Sequence, residues 1–341
     1  MQKDKTIPIL GIETSCDETS VAIASGEKNI LSNVVVSSLH LHRKYGGIVP
    51  EIACRHHTEN INIILDKALK SAKMDLEDIK AVSVTQGPGL VGALLVGISM
   101  AKAISYSLNI PIIPLNHLHG HLYAALLGNG CPQFPATGLI VSGGHTNLVN
   151  MIDIDNLQFM GQTRDDACGE AFDKVSKILG LGFPGGPSIE KRAEKGDPEK
   201  INFTRSYLES NTMDFSFSGI KTAVLYLVQG MKNKKVKPPV SDICRGFQDA
   251  VFDMLIAKTR ICCQKNNSKS LLVGGGVSAN KELRRRLDRL CSELSIRLFL
   301  PPKGMSLDNA AMIAALGSYR YNRGKFGDPY FTVQPNLGFL T

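Results

Sequence analysis

Short apolar runs alternate with stretches of helical spacing along the whole chain, and the alternation predicts an α/β protein. Ile7 to Glu13 and Ser20 to Ala24 read as two strands around the polar turn Thr14-Ser15-Cys16-Asp17-Glu18, a hairpin that presents hydroxyls and carboxylates. A third strand is predicted at Asn33 to Ser37, followed by a loop from His42 to Pro50. Ile61, Ile64, Leu65 and Leu69 then recur at helical spacing, which predicts a helix over about 51–73. A strand at Ala81 to Thr85, a Gly-Pro-Gly turn, a small-residue helix over about 90–108 and a strand at Ile110 to Leu115 make a βαβ unit.

The pattern restarts after the Pro/Gly-rich segment Gly128 to Thr137. Gly138 to Ser142 and Thr146 to Met151 form a second predicted hairpin, around Gly143-Gly144-His145. Beyond Pro184-Gly185-Gly186-Pro187 the chain reads as mainly helical, with Lys232 to Pro239 as an exposed basic loop. It closes on a strand at Ser270 to Val273, a helix over about 280–294, a strand at Ile296 to Leu300 and a helix over about 308–321. The restart predicts two related α/β lobes facing one cleft, although residue identity between the halves is too low to prove duplication. A length of 341 residues also favours two cores over one. The expected division is a first lobe of 1–130 with the helix of about 308–322 packing back on it, a second lobe of 131–307 with a helical insertion at about 185–265, and a tail of 323–341.

Composition narrows the class. The longest apolar run, Leu90 to Ala101, ends at Lys102 and is shorter than the roughly 20 residues that a bilayer requires, so no membrane span is expected. The first residues lack the apolar stretch of a secretory signal, and the eight cysteines show no Cys-x-x-Cys spacing. A reducing cytoplasm fits both. The 39 Lys+Arg against 31 Asp+Glu give a formal charge of +8, which favours a phosphate-bearing partner.

All eight histidines lie in the first 145 residues, three of them in Asn116-His117-Leu118-His119-Gly120-His121. On a helix His117 and His121 are about 40° apart while His119 is turned roughly 200° from His117, so the outer pair could share an ion and the middle one could not join it. A zinc protease would need Glu after the first His, and position 118 is Leu. Asp308, after an apolar strand, could cap the next helix or reach into a cleft. Three glycine turns, at 141–145, 184–187 and 274–280, could cradle an anion. Asp166, Glu170 and Asp173 share one face of a predicted helix, as a solvated surface or as partners of ribose hydroxyls or an ammonium. The arginines of 281–289 are either an exposed helix face or a phosphate-backbone contact surface.

The motifs, in order, resemble one family. GIETSCDETSVAI (11–23), HRKYGGIVPEIACRHH (42–57), QGPGLVGALLVG (86–97), NHLHGH (116–121), LIVSGGHTNL (139–148), DDACGEAFDKVSKILGLGFPGGP (165–187), FSFSGIKTA (215–223), GGGVSAN (274–280) and DNAAMIA (308–314) are similar to the bacterial tRNA N6-adenosine threonylcarbamoyltransferases, the TsaD family, formerly called O-sialoglycoprotein endopeptidases. The resemblance implies the two-lobed fold of actin, sugar kinases and heat-shock ATPases, with duplicated RNase H-like lobes and an interlobe cleft. It implies an acyltransferase that moves a threonylcarbamoyl group from threonylcarbamoyl-adenylate to N6 of adenosine 37 in tRNAs reading codons that begin with A, releasing AMP. His117, His121 and Asp308 match the family's metal ligands, for one ferrous iron per subunit or alternatively zinc. Ile140, Val141, Ser142, Gly143, Gly144, Asp173, Gly186 and Asn280 match its substrate-binding positions. Glu13 and Asp17 are the candidate bases for the N6 proton. Bacterial members often carry Gln where this chain has Ser38. The family works with a small paralogue, TsaB, and an ATPase, TsaE. The rival readings are a small-molecule kinase or a chaperone-like binding module on the same fold, and a metalloprotease.

Overall fold

The computed structural model describes residues 7–128, 130–205 and 212–339; the expected helical insertion therefore includes six residues, 206–211, outside the described ones. The chain divides into two compact units, 1–129 with 301–341 and 130–300. Residues 301–307 and the C-terminal tail thus lie with the first unit.

In the first unit β1 (Pro8–Glu13), β2 (Glu18–Ser25) and β3 (Ile30–Ser37) form an antiparallel meander, and β4 (Ala81–Gly87) and β5 (Ile112–Asn116) extend it in parallel from β1. Between β3 and β4 run α1 (Leu39–His42), a short 3-10 turn and α2 (Pro50–Ala72), so the segment read as a loop from His42 begins on a helical turn. Helix α3 (Val91–Leu108) joins β4 to β5 (Ile112–Asn116), and α4 (His117–Ala124) starts at the next residue. In length and composition α3 could cross a membrane. Its Leu94, Ile98, Ala101 and Ile104 are buried with Ile12, Val82 and Val84 in the core above the sheet.

The second unit contains β6 (Ala136–Val141), β7 (Thr146–Met151), β8 (Leu157–Gln162), α5 (Cys168–Leu179), α6 (Gly185–Ala193), α7 (Ser218–Asn233), α8 (Val240–Lys265), β9 (Ser270–Gly274), α9 (Lys281–Leu294) and β10 (Arg297–Phe299). The sheet orders are β3-β2-β1-β4-β5 and, read from the same edge, β8-β7-β6-β9-β10. Each meander is antiparallel and each extension parallel, so the two units repeat one topology strand for strand. Helix α10 (Ala310–Tyr321) packs across β1 and β2 of the first unit.

Close backbone approach fixes α10. A Cβ on Gly11 of β1 would stand 2.6 Å from the Ala310 carbonyl oxygen, and one on Gly120 of α4 would stand 2.9 Å from Ile313 Cδ1. Glycine at these two positions lets α10 lie directly on the strand and on α4. The Ala310 amide donates to Ser20 Oγ at 2.8 Å, which anchors the helix start over the first hairpin.

Candidate metal centre and glycine turns

Helix α4 opens with Asn116, whose Oδ1 accepts the Leu118 amide at 2.9 Å, so the strand-to-helix junction is capped at the residue before His117. His117 and His121, one turn apart, bring their ring centroids to 4.5 Å with planes at 74°. Asp308 completes the group: its Oδ1 is 3.1 Å from His121 Nε2 and 3.5 Å from His117 Nε2. One ligand atom from each residue lies within 4.8 Å of the others. Asp308 is not a helix cap. Asn309 holds that position, its Oδ1 accepting from the Met312 amide, and Asp308 one residue earlier is left to face the histidines.

The donor set fits a metal ion. His121 is fully buried, and among the described residues neither of its ring nitrogens makes a directed hydrogen bond. Such orphaned nitrogens are rare unless something binds them. His117 is oriented from behind: its Nδ1 donates to Glu13 Oε2 at 2.9 Å and lies 3.2 Å from Ser15 Oγ, which leaves the Nε2 lone pair toward Asp308. Glu13 also accepts from the Ser15 amide at 2.6 Å and from Thr85 Oγ1 at 2.6 Å. Burial alone would lower the His117 pKa, but Glu13 and Asp308 overcome it and raise the value to about 9. Burial would raise Glu13, yet the His117 charge and hydrogen bond hold it below its ordinary value. Burial, with Asp308 and Asp17 nearby, pushes Glu18 up to about 10. The pocket is rich in carboxylates and favours a cation.

Glu13 is wholly buried and holds three donors, which places it to orient His117. Asp17 is half-buried on the same turn, its backbone carbonyl held by the Ser38 amide and hydroxyl. Ser38 is buried against His42 Nε2 at 2.9 Å. Ser15 and Thr85 were not singled out from sequence; the available signal was a hydroxyl at the end of a buried strand.

In the second unit the glycine turns gather at the C-terminal ends of the parallel strands β6 and β9, where ligands of open α/β sheets bind. Ile140 and Val141 end β6 buried, and the Ser142 amide closes the next turn on the His145 carbonyl at 2.8 Å. Gly143 and Gly144 are exposed with open space where a Cβ would stand. Gly275, at φ +91, brings the β9 turn alongside; a Cβ there would stand 2.4 Å from the Val141 carbonyl oxygen. The Gly169 amide donates to the Ser142 carbonyl at 3.0 Å, which sets the start of α5 beside the same turn.

Asp173 Oδ1 accepts the Gly185 amide at 2.6 Å and ties the α5–α6 loop down, next to the open Gly186. Asn280 caps α9 through the Leu283 amide at 3.1 Å and donates to Gln248 Oε1 at 3.1 Å. The acidic face expected at 166–173 does not form. Helix α5 begins at Cys168, and Asp166 lies before it, bonded to Lys174 at 2.5 Å and Lys221 at 2.7 Å. Those two lysines were not singled out from sequence.

The arginines of α9 are also engaged. Arg285 pairs with Glu282, Arg286 with Glu282, Asp249 and Asp253, and Arg289 with Glu293, while Leu283, Leu287 and Leu290 are buried beneath them. The helix is a charge-compensated face, which removes most of its attraction for a phosphate backbone.

Two units built on one strand order, one of them holding a buried His/His/Asp group, place the protein in the fold class of actin, sugar kinases and heat-shock ATPases. Solved structures agree on the fold: HypF from T. kodakarensis superposes with a TM-score of 0.66 at 10% identity over 95% of this chain and 49% of that one. Component A of the Acidaminococcus fermentans (R)-2-hydroxyglutaryl-CoA dehydratase gives 0.55 at 16% identity over 93% and 98%. The family model "TsaD: tRNA N6-adenosine threonylcarbamoyltransferase" matches residues 29–315. Proteins named tRNA N6-adenosine threonylcarbamoyltransferase are 45% identical in Bacillus cereus, over 98% of this chain and 97% of that one, and 47% identical in Dictyoglomus turgidum, over 96% and 98%. The chain belongs to the TsaD family.

Proposed function

We propose that this protein transfers the threonylcarbamoyl group of threonylcarbamoyl-adenylate to N6 of adenosine 37 in tRNAs that read codons beginning with A, releasing AMP. The observation that carries the reading is the intact group of His117, His121 and Asp308, with His121 buried and its Nε2 facing Asp308, in a chain that belongs to this family along nearly its whole length.

The nucleophile is a weak aromatic amine and the electrophile a mixed carbamic–phosphoric anhydride, so carbonyl polarisation and stabilisation of the leaving phosphate are the main demands. His117, His121 and Asp308 hold one ferrous iron, or zinc, which supplies Lewis acidity toward the donor carbonyl when bound. Glu13 keeps the His117 proton on Nδ1 and so keeps Nε2 available as a ligand. The exposed Gly143 and Gly144 let backbone amides approach the adenylate phosphate, and Gly186 and the first turn of α6 bound the same nucleotide from the other loop. Ile140, Val141, Asp173 and Asn280 act by holding these turns in place. Asp17 takes the N6 proton. In this reading the enzyme works in the cytoplasm with a TsaB-like paralogue and a TsaE-like ATPase.

The test is mass spectrometry of nucleosides from unmodified tRNA incubated with this protein, both partners and a source of threonylcarbamoyl-adenylate. Threonylcarbamoyladenosine is expected. Its absence, where a relative produces it under the same conditions, would overturn the assignment.

A further inference from the structure

His119, the middle histidine of the cluster, faces away from the ion group and meets the C-terminal segment. Its Nε2 donates to the Phe339 carbonyl at 2.8 Å, and its ring stands 5.0 Å from the buried Phe339 ring. Asn116 uses its amide twice. The oxygen caps α4, and Nδ2 donates to the Gly338 carbonyl at 2.8 Å. The two polar side chains at the start of α4 that are not aimed at the ion group therefore grip adjacent carbonyls of one segment.

The same segment is bound along its length. The Gln334 amide donates to the Gln86 carbonyl at 3.0 Å, the Gly89 amide to the Pro335 carbonyl at 3.1 Å, and Gln86 Nε2 to the Thr332 carbonyl at 2.9 Å. A Cβ on Gly87 would stand 1.9 Å from the Gln334 oxygen, so the contact admits only glycine. The clamped turn directly follows Thr85, the residue that donates to Glu13, which in turn holds His117. Both supports of His117, the helix start beneath it and the carboxylate behind it, are thus tied to residues 332–339.

We propose that residues 332–339 are a strap that sets the orientation of the α4 histidines for their ion, with His119 and Asn116 as positioning residues. The proposal rests on His117, His121 and Asp308 being the ligands. A helix of eight residues has little stability of its own, so its rotation and tilt are set by what holds its ends. Its buried Leu118, Leu122 and Tyr123 resist removal from the core but are adaptable in angle, whereas two hydrogen bonds at the first turn fix direction.

The experiment measures binding of Co2+ and Zn2+ to the metal-free full chain by chelator competition, with the visible spectrum of the cobalt form and the thermal midpoint recorded in parallel. Variants are His119→Ala, His119→Gln, Asn116→Ser and a chain ending at Phe331. Loss of outer-shell support costs about 10–100-fold in metal affinity. That loss, with an altered cobalt spectrum, is expected for His119→Ala, Asn116→Ser and the truncation, all still folded by circular dichroism. His119→Gln, which keeps an N–H donor, should recover most of it, as Asn116→Ser keeps the cap and loses only the strap. Wild-type affinity and spectrum with a lowered midpoint would show a scaffold contact alone and overturn the proposal. His117→Ala and His121→Ala serve as controls: if they too bind as wild type, the ligand assignment itself has failed and the strap proposal falls with it.

Discussion

The two units share strand order and pairing, yet their equivalent first turns are built in opposite ways. In the first unit the turn after β1 is built of side chains directed inward: Glu13 is sealed under Ser15, Thr85 and His117, and the result is a pocket for a cation. In the second unit the turn after β6 is Ser-Gly-Gly, closed by its own backbone and open above, a surface of amides suited to an anion. The strand topology repeats and the turn residues do not, so the same sheet positions two different surroundings.

The strongest way to break this comparison is to remove the cation side. His117→Ala, His121→Ala and Asp308→Ala should each lower metal affinity by more than about 100-fold, beyond the loss from outer-shell changes, with activity falling in step. Metal content by elemental analysis and the nucleoside assay check this. Retention of stoichiometric metal by any one of the three would remove that residue from the ligand set. Glu13→Gln, which leaves an acceptor for Thr85 but takes away the charge behind His117, should cost about 10–100-fold in metal affinity.

The anion side is tested by Gly143→Val. Open space surrounds that position, so the fold should accept the side chain, and the added atoms should obstruct only what approaches the amides. AMP binding by calorimetry should weaken about tenfold or more while metal content stays at the wild-type level. Loss of both together would mean that the two turns are not chemically separate.

Sequence pattern made some of this visible and hid the rest for physical reasons. The His117/His121 pair is a matter of helical phase alone, and α4 shows it. Asp308 stayed open between two readings because a shift of one residue in the cap, to Asn309, decides which way its carboxylate turns. The acidic triplet failed because α5 starts at Cys168, and because Lys221, which neutralises Asp166, arrives from α7 about fifty residues later. Strand β8 was missed since its Leu157, Gln158 and Phe159 lie on a sheet edge with no inward-outward alternation. The repeat could not be read from residues, yet the strand pairings show one topology twice.

A second contrast lies inside the second unit, between two basic stretches. The α9 arginines are matched by carboxylates from α8 and from α9 itself. Lys232, at the end of α7, and Lys234, Lys235 and Lys237, between α7 and α8, are exposed and make no ion pair among the described residues. Free cations release counterions from a phosphate backbone more readily than compensated ones. Changing the four lysines to Ala should weaken tRNA binding about tenfold and reduce the log–log salt slope by up to about 3.6, at roughly 0.7–0.9 per contact. Arg285→Ala with Arg289→Ala should leave the slope unchanged in the same filter-binding titration. The reverse outcome would put the backbone contact on α9.

The smallest effect concerns what the compensated helix does instead. Hydrogen bonds from Arg285 and Arg286 hold the Glu282 carboxyl down to about 2, below its ordinary value near 4.5. A depressed folded-state value stabilises the fold above the unfolded pKa, and that contribution disappears as pH falls from about 4.5 toward 2. Because the arginine partners are partly solvated, the contribution is discounted to about 1 kcal/mol. For a unit of this size that amounts to about 2–4 °C in thermal midpoint. Glu282→Gln should therefore melt lower than wild type at pH 7, and the gap should narrow progressively below pH 4.5. A gap independent of pH would mean that Glu282 acts by packing rather than by charge, and the case for α9 as an ion-paired structural face would lose its electrostatic basis.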